Sequence, residues 1–147
     1  MIMAESGGRQ FAANGQPLTS PKGAIGIAQV MPATAREVAT KHGIPWDENR
    51  YRTDPEYNKT LGRAYFGDLV QEFGDIELAA AGYNAGPNAV RKALAQASRP
   101  VKTDAGDPNA PNPSGAVFSH RMSWRDFVPK ETQNYVAKIQ RSLARGD

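Results

Sequence analysis

The feature of this sequence that most restricts its fold is one long amphipathic segment. Apolar residues recur every four positions, at Tyr57, Leu61, Tyr65, Leu69 and Phe73. Asp54-Pro55 has the form of a helix N-cap followed by a first-turn proline, and Gly74 ends the pattern. Because side chains four residues apart share one face of a helix, this pattern predicts a strong helix that must bury its stripe against partners.

The same start and stop signals predict a mainly α-helical domain. Further helices are expected at 33–41, 76–82 and 87–97, and from Pro129 onward. The run Leu78-Ala79-Ala80-Ala81 is small and apolar on all sides, which indicates burial. The last helix should bury its apolar residues Tyr135, Val136, Ile139 and Leu143. At most a short strand pair is expected, near residues 10–20 and 25–30.

Length and composition exclude several classes of protein. With 147 residues the chain is expected to form a single domain, residues 1–147, and no apolar run approaches the length of a membrane span. There is no cysteine, and His42 and His120 are far apart, so we expect no metal site and no cofactor. The net charge of +3 suits an anionic polymer, but no basic run with aromatic residues indicates nucleic acid. Residues 99–118 contain four prolines and are expected to form a long exposed loop.

Four short motifs could carry chemistry. Glu5 precedes Ser6-Gly7-Gly8, and a carboxylate before a glycine turn can project into a cleft. Ser20-Pro21 leads into residues 23–32, where Gln29 is a polar side chain among small and apolar ones and needs a hydrogen bond or a ligand. The other two motifs are Tyr83-Asn84-Ala85-Gly86-Pro87 and Glu131-Thr132-Gln133-Asn134-Tyr135-Val136. Taken singly, each also fits an ordinary turn, cap or solvated side chain.

In this order the four motifs resemble the catalytic domain of the soluble lytic transglycosylases, glycoside hydrolase family twenty-three, which is related to the goose-type lysozymes. The resemblance spans residues 4–139. It implies a lysozyme-like helical fold with a deep cleft for a peptidoglycan strand. The implied reaction cleaves the MurNAc-β-1,4-GlcNAc bond and leaves a 1,6-anhydroMurNAc end.

The resemblance also implies roles for individual residues. Glu5 matches the single catalytic acid and base, and the hydroxyl of Tyr83 is expected beside it, where a hydrogen bond would position the carboxylate. Glu131 matches a carboxylate of the cleft, and Tyr135 is expected to support it. The residues that match the lining of the sugar subsites are Ser20, Gln29, Met31 and Asn84. Ser20 follows Glu5 at a longer interval than is usual in the family, which indicates a longer loop.

Two other functions remain open at this point. A goose-type lysozyme-like hydrolase would need a second acid to activate water, for which Asp47, Glu48 and Glu131 are candidates. A glycan-binding module without turnover would have lost the acid, but Glu5 is present.

The place of action follows from the implied substrate. The first residues lack the charged and apolar regions of a signal peptide. We therefore expect a monomeric domain that acts on the cell wall in the periplasm, delivered by a phage virion or as part of a longer exported protein.

Overall fold

The computed structural model describes residues 2–98 and 123–144, which form seven α-helices and one short 3-10 helix. The α-helices are α1 (Ile2–Ser6), α2 (Pro32–Lys41), α3 (Glu48–Thr53), α4 (Pro55–Phe73), α5 (Ile76–Ala85), α6 (Pro87–Ala97) and α7 (Lys130–Ala144). The 3-10 helix is Trp124–Phe127. The mainly α-helical class predicted from the sequence is therefore confirmed.

The predicted stripe of α4 lies at the centre of the described fold. The Asp54 side chain caps the helix by accepting hydrogen bonds from the backbone N–H groups of Glu56 and Tyr57. At the other end Gly74 has φ +66°, the left-handed conformation that closes many helices. Tyr57, Leu61 and Leu69 are buried, and the stripe packs against α2, α3 and α5.

The alanine run of α5 is fully buried, as its composition predicts. Ala79, Ala80 and Ala81 have no exposed surface, and α5 packs against α4, α6 and α7. The helix continues to Ala85, beyond the predicted end near Gly82, so Tyr83 and Asn84 occupy its last turn. Small side chains let three neighbouring helices approach α5 closely.

The prediction for α7 is right except at its end. Tyr135, Val136 and Ile139 are buried, whereas Leu143 is 52% exposed. The Gln140 side chain already hydrogen-bonds Glu77, in the first turn of α5. The next turn of α7 therefore extends beyond the start of α5, and none of the described helices covers Leu143.

The predicted strand pair is reduced to three isolated bridges, Phe11 with Pro17, Thr19 with Ile25, and Ile25 with Val30. Tight turns interrupt the pairing, because Gly23 and Gly26 both have positive φ. A Cβ atom on Gly26 would lie 2.3 Å from the amide nitrogen of Asn58, so this position has no room for a side chain.

Buried side-chain amides hold this loop onto the helices. Asn58 accepts a hydrogen bond from Ala28 N–H at 2.9 Å and donates to the carbonyls of Ile25 (3.1 Å) and Tyr51 (2.9 Å). Gln10 accepts from Ile27 N–H at 2.9 Å and donates to the Arg52 carbonyl at 2.9 Å. Two amides thereby fix three residues of the loop, Ile25, Ile27 and Ala28.

Two elements were missed by the sequence reasoning, although both carry capping signals. Asp47 caps α3 through a hydrogen bond from Arg50 N–H. Ser123 and Asp126 form a reciprocal capping box at the 3-10 helix. Neither element has an apolar repeat long enough to register as a periodic pattern.

The predicted loop at 99–118 lies outside the described residues. Within residues 2–98 and 123–144, no helix is long and apolar enough to cross a bilayer.

Replacing Asn58 by leucine should strongly destabilise the fold. The change keeps the side-chain volume roughly constant but leaves the Ala28 N–H and the Ile25 carbonyl without partners in a fully buried place. The Tyr51 carbonyl keeps only its longer bond from Gln10, at 3.4 Å. We expect a loss of about 3–5 kcal/mol in the free energy of unfolding. Urea unfolding of Asn58→Leu beside Asn49→Leu, at an exposed position of α3, measures this. Equal stabilities of the two variants would contradict the role given to Asn58.

Candidate active site

Glu5 lies near the end of α1. The residues that follow it, Ser6 and two glycines, end this helix. The Ser6 hydroxyl donates to the Ile2 carbonyl at 3.1 Å and accepts from the N–H groups of Gly8 and Arg9, both at 3.2 Å. Gly7 and Gly8 have positive φ, so the chain turns directly after Ser6. The short helix packs on α7, which brings Glu5 against the far end of the chain.

Burial changes the acidity of Glu5. Loss of water around the carboxylate raises the pKa of Glu5 to about 7, and the negative charge of Glu131 adds to this effect. The neighbouring Tyr135 hydroxyl acts in the opposite direction and lowers that pKa, but less than burial raises it. Glu5 can therefore both donate and accept a proton near neutral pH.

Two buried polar atoms of this site have no hydrogen-bond partner among the described residues. They are Oε1 of Glu5 and the hydroxyl of Tyr135. Burial, followed by the charge of Glu5, raises the pKa of Tyr135, so its hydroxyl stays protonated. The interaction between Glu5 and Tyr135 affects the pKa values of both side chains. Even so, neither Oε1 of Glu5 nor the Tyr135 hydroxyl makes a hydrogen bond of ordinary geometry. Buried polar groups are normally satisfied, so this pair is typical of a site prepared for a ligand or water.

The expected hydrogen bond between Tyr83 and Glu5 is not formed. The Tyr83 hydroxyl instead donates to the backbone carbonyl of Ala28 at 2.5 Å, and the residue is 8% exposed. Gly62 permits this approach, since a Cβ atom there would lie 2.5 Å from Cβ of Ala28 and 3.0 Å from the Tyr83 hydroxyl. Tyr83 thus joins α5 to the loop at 24–30, and Tyr135 is the tyrosine whose hydroxyl interacts with Glu5.

Ser20 and Gln29 use their side chains to shape the same loop. The Ser20 hydroxyl accepts from Ala24 N–H at 3.0 Å and closes a tight turn. Gln29 has φ +54°, a conformation that residues with a Cβ rarely adopt, and its amide donates to the carbonyls of Leu18 (3.0 Å) and Gly26 (2.8 Å). The amide nitrogen of Gln29 is therefore already occupied, and its Oε1 is the atom left for a ligand.

The remaining predicted residues lie at two other places. Met31 is 41% exposed at the start of α2. Asn84 accepts a hydrogen bond from the Thr132 hydroxyl at 2.8 Å, which ties the end of α5 to α7 beside the exposed Glu131. The structure thus brings Glu5, Glu131 and Tyr135 together electrostatically, and the charge of Glu5, after burial, also raises the pKa of Tyr83. Ser20, Gln29 and Met31 belong to the loop.

The importance of Tyr135 was underestimated from the sequence. It is four residues after Glu131 and points with Ile139 into the apolar side of α7, which identified it as a packing residue. A hydroxyl on an apolar helix face needs a partner, and that signal alone could have assigned it to Glu5. Among the described residues, no group of three or more histidine, aspartate or glutamate side chains could hold a metal ion.

Comparison with known proteins identifies the family of the chain. Residues 1–105 match the family described as the Transglycosylase SLT domain. The chain belongs to this family. It is 38% identical over 85 residues to the soluble lytic murein transglycosylase of Escherichia coli K12, covering 56% of the chain and 13% of that protein. A putative soluble lytic murein transglycosylase of Haemophilus influenzae is 33% identical over 97 residues, covering 65% of the chain and 16% of that protein.

Solved structures show the same fold as this SLT domain. An inactive mutant of lytic transglycosylase Slt from Pseudomonas aeruginosa matches with a TM-score of 0.64 and 30% identity. The 70 kDa soluble lytic transglycosylase of Escherichia coli matches with a TM-score of 0.64 and 27% identity. Each match covers 92% of the SLT domain but 18% of the larger protein. The chain therefore spans less than a fifth of the length of these relatives.

The raised pKa of Glu5 predicts a pH-dependent stability. An acid whose pKa is higher in the folded than in the unfolded state is destabilising once it must ionise, so its cost grows as pH rises from 4.5 to about 7. Replacing Glu5 by glutamine should therefore stabilise the domain by about 2–3 kcal/mol at pH 8 and change little at pH 4.5. Urea unfolding at both pH values checks this. A constant difference would mean that Glu5 titrates as it does in water.

Proposed function

We propose that this SLT domain is a peptidoglycan lytic transglycosylase in which Glu5 is the single acid and base. The observation that carries the proposal is the buried carboxylate of Glu5, with a pKa of about 7 and an Oε1 atom without a protein partner. A general acid is most effective when its pKa lies near the working pH. The substrate is the MurNAc-β-1,4-GlcNAc bond of the glycan strand.

One carboxylate suffices for the proposed reaction. Protonated Glu5 gives its proton to the glycosidic oxygen as the bond to C1 of MurNAc breaks. The acetamido oxygen of that sugar stabilises the positive charge, as in substrate-assisted glycosidases. Ionised Glu5 then takes the proton of the C6 hydroxyl, whose oxygen bonds to C1. The products are a 1,6-anhydroMurNAc end and a free GlcNAc hydroxyl, and Glu5 is protonated again without consumption of water.

The surroundings of Glu5 support this reaction over hydrolysis. A hydrolase of this type would use a second carboxylate beside the scissile bond to activate water. The candidates Asp47, Glu48 and Glu131 are all exposed. Asp47 and Glu48 also lie at the start of α3, which packs on α4, whereas α1 packs on α7. Glu131 remains near enough to raise the pKa of Glu5 and is proposed to act in this way.

The relatives support the same proposal. Those of Escherichia coli and Salmonella typhimurium are named soluble lytic murein transglycosylases. The inactive Pseudomonas protein carries glutamine in place of a glutamate. By analogy we assign that role to Glu5, and we place the action of the domain on murein in the periplasm, reached within a longer exported protein or a phage virion.

The sugar subsites are proposed to be lined by five of the six other predicted residues. Met31 offers an exposed apolar surface, and Gln29 offers Oε1 as an acceptor for a sugar hydroxyl or amide N–H. Ser20 fixes the turn at 20–24 that precedes them, while Asn84 and Glu131 flank Glu5 from the junction of α5 and α7. Tyr83 contributes by holding the Ala28 carbonyl rather than by touching the sugar.

Replacing Glu5 by glutamine should abolish cleavage. The amide is nearly isosteric but cannot donate the proton, and proton transfer by a positioned group contributes about 10²–10⁴-fold. The matched variant Glu131→Gln should retain cleavage and still form anhydro ends. Mass spectrometry of the muropeptides distinguishes anhydro from hydrolysed ends by one water. Wild-type turnover in Glu5→Gln would refute the assignment. If the wild type forms reducing ends and Glu131→Gln does not, the domain would be a hydrolase that uses Glu131 to activate water.

The two tyrosines should affect the pH dependence differently. Tyr135→Phe removes a group that lowers the pKa of Glu5, so the alkaline limb of the kcat/KM profile should move to higher pH. Tyr83→Phe leaves the buried Ala28 carbonyl unpaired, so it should lower stability by about 1–3 kcal/mol without moving that limb. Both profiles and both melting temperatures are to be measured. A shift confined to Tyr83→Phe would restore the arrangement expected from the sequence.

A further inference from the structure

A second groove carries polar side chains that the proposed reaction does not use. It lies between α2, α4 and the start of α6 and has a volume of about 340 Å³. Thr34, Glu37 and Lys41 line it from α2, Tyr65 lines it from α4, and Arg91 lines it from α6. We call it the Glu37 groove.

The groove begins where the proposed sugar subsites end. Thr34 follows Met31 by three residues at the start of α2, so the two lie on one face of that segment. Pro87, another lining residue, follows Asn84 by three residues. The Tyr65 ring also packs against Tyr83, with ring centroids 5.3 Å apart. A strand bound along Met31 and Asn84 would therefore have the Glu37 groove beside it.

Three polar groups in the groove make no hydrogen bond or ion pair with the part of the chain that the structure describes. They are the hydroxyl of Thr34, the carboxylate of Glu37 and the hydroxyl of Tyr65. Burial, followed by the charge of Glu72, raises the pKa of Tyr65, so its hydroxyl remains protonated and available for hydrogen bonding. These three groups face one groove from two helices, and each is free to bond a ligand there.

The cations of the groove are already occupied. Lys41 pairs with Asp68 at 3.2 Å, and Arg91 pairs with Glu72 and hydrogen-bonds Asn88. Three carboxylates and two cations leave the groove at −1, in a chain whose net charge is +3. An anionic ligand would thus meet the uncommitted Glu37, whereas a cation would be attracted by it.

We propose that the Glu37 groove binds a primary ammonium group of the substrate, carried by the peptide stem of peptidoglycan. The identity of the substrate rests on the proposed function. Glu37 pairs with the ammonium group, and the Thr34 and Tyr65 hydroxyls accept its remaining N–H bonds. Val38, Leu69 and Pro87 form an apolar wall for the methylene chain that carries the amine. The groove would then distinguish stems with a free amine from those without one.

The test compares three substrates and two variants. The substrates are intact cell wall, the same wall with its free amines acetylated, and glycan strands stripped of stems by an amidase. The variants are Glu37→Gln and the control Glu56→Gln, which removes an equally exposed carboxylate from the first turn of α4. On intact wall, Glu37→Gln should raise KM about threefold to fivefold at unchanged kcat, as expected for one partly exposed ion pair. On the other two substrates it should change nothing, and Glu56→Gln should change nothing on any of them.

Other outcomes overturn the proposal. An equal effect of Glu37→Gln on intact and acetylated wall would show that no ammonium group is bound. An effect that persists on stripped glycan would place the amine on the sugar and not on the stem. If the wild-type domain cleaves no substrate, the proposed function fails, and the groove is tested by co-sedimentation with intact and acetylated wall. Equal binding of the wild type to both walls would then refute the proposal that the Glu37 groove binds an ammonium group.

Discussion

The fold of the loop at 24–30 depends on hydrogen bonds from two buried amides. This loop has almost no regular pairing, so its N–H and carbonyl groups need partners from side chains. Asn58 and Gln10 supply them side by side, both also donating to the Tyr51 carbonyl, and the Tyr51 hydroxyl adds a bond to the Val30 carbonyl. A backbone fixed in this way can leave water without forming a sheet, and it carries both Ala28 and Gln29 to the site.

Glu5 is also removed from water, but its polar atoms are not all hydrogen-bonded. Backbone groups of the loop are buried and satisfied, whereas Glu5 and Tyr135 are buried with one polar atom each left unsatisfied. The first arrangement stabilises the fold, and the second costs free energy that only a ligand or a transferred proton recovers. The rigid loop and the tightly packed α5 supply the stability that tolerates the strained site.

Much of the fold could be predicted from periodicity and capping. The stripe on α4 and the alanines of α5 determine their own burial, because apolar residues at helical spacing have few alternatives. Short helices such as α3 depend on a single cap. They contain too few residues to show a periodic pattern, so they were not predicted. Leu143 fits its helix pattern but is exposed, because the length of α5 decides where packing ends, and no local pattern on α7 encodes that length.

The segments that meet at the candidate site could be predicted from the sequence, but their hydrogen bonds could not. The motifs containing Glu5, Tyr83 and Glu131 identify which segments meet, yet they do not tell which tyrosine interacts with the acid. That choice depends on Gly62, whose missing side chain allows Tyr83 to reach Ala28 instead. Gln29 is a similar case, since its positive φ directs its amide nitrogen into the loop. Both outcomes are set by contacts between residues that are distant in sequence.

The contact between α1 and α7 makes the acid depend on both ends of the described chain. Glu5 is protonated near neutral pH because it is shielded in a site to which Tyr135 of α7 belongs. A partly synthesised or proteolysed chain without α7 could still pack α2 to α5, but its Glu5 would be hydrated and ionised. Such a fragment would lack a proton to donate. The acidity that makes Glu5 a proton donor is therefore a property of two helices folded together, and neither α1 nor α7 carries it alone.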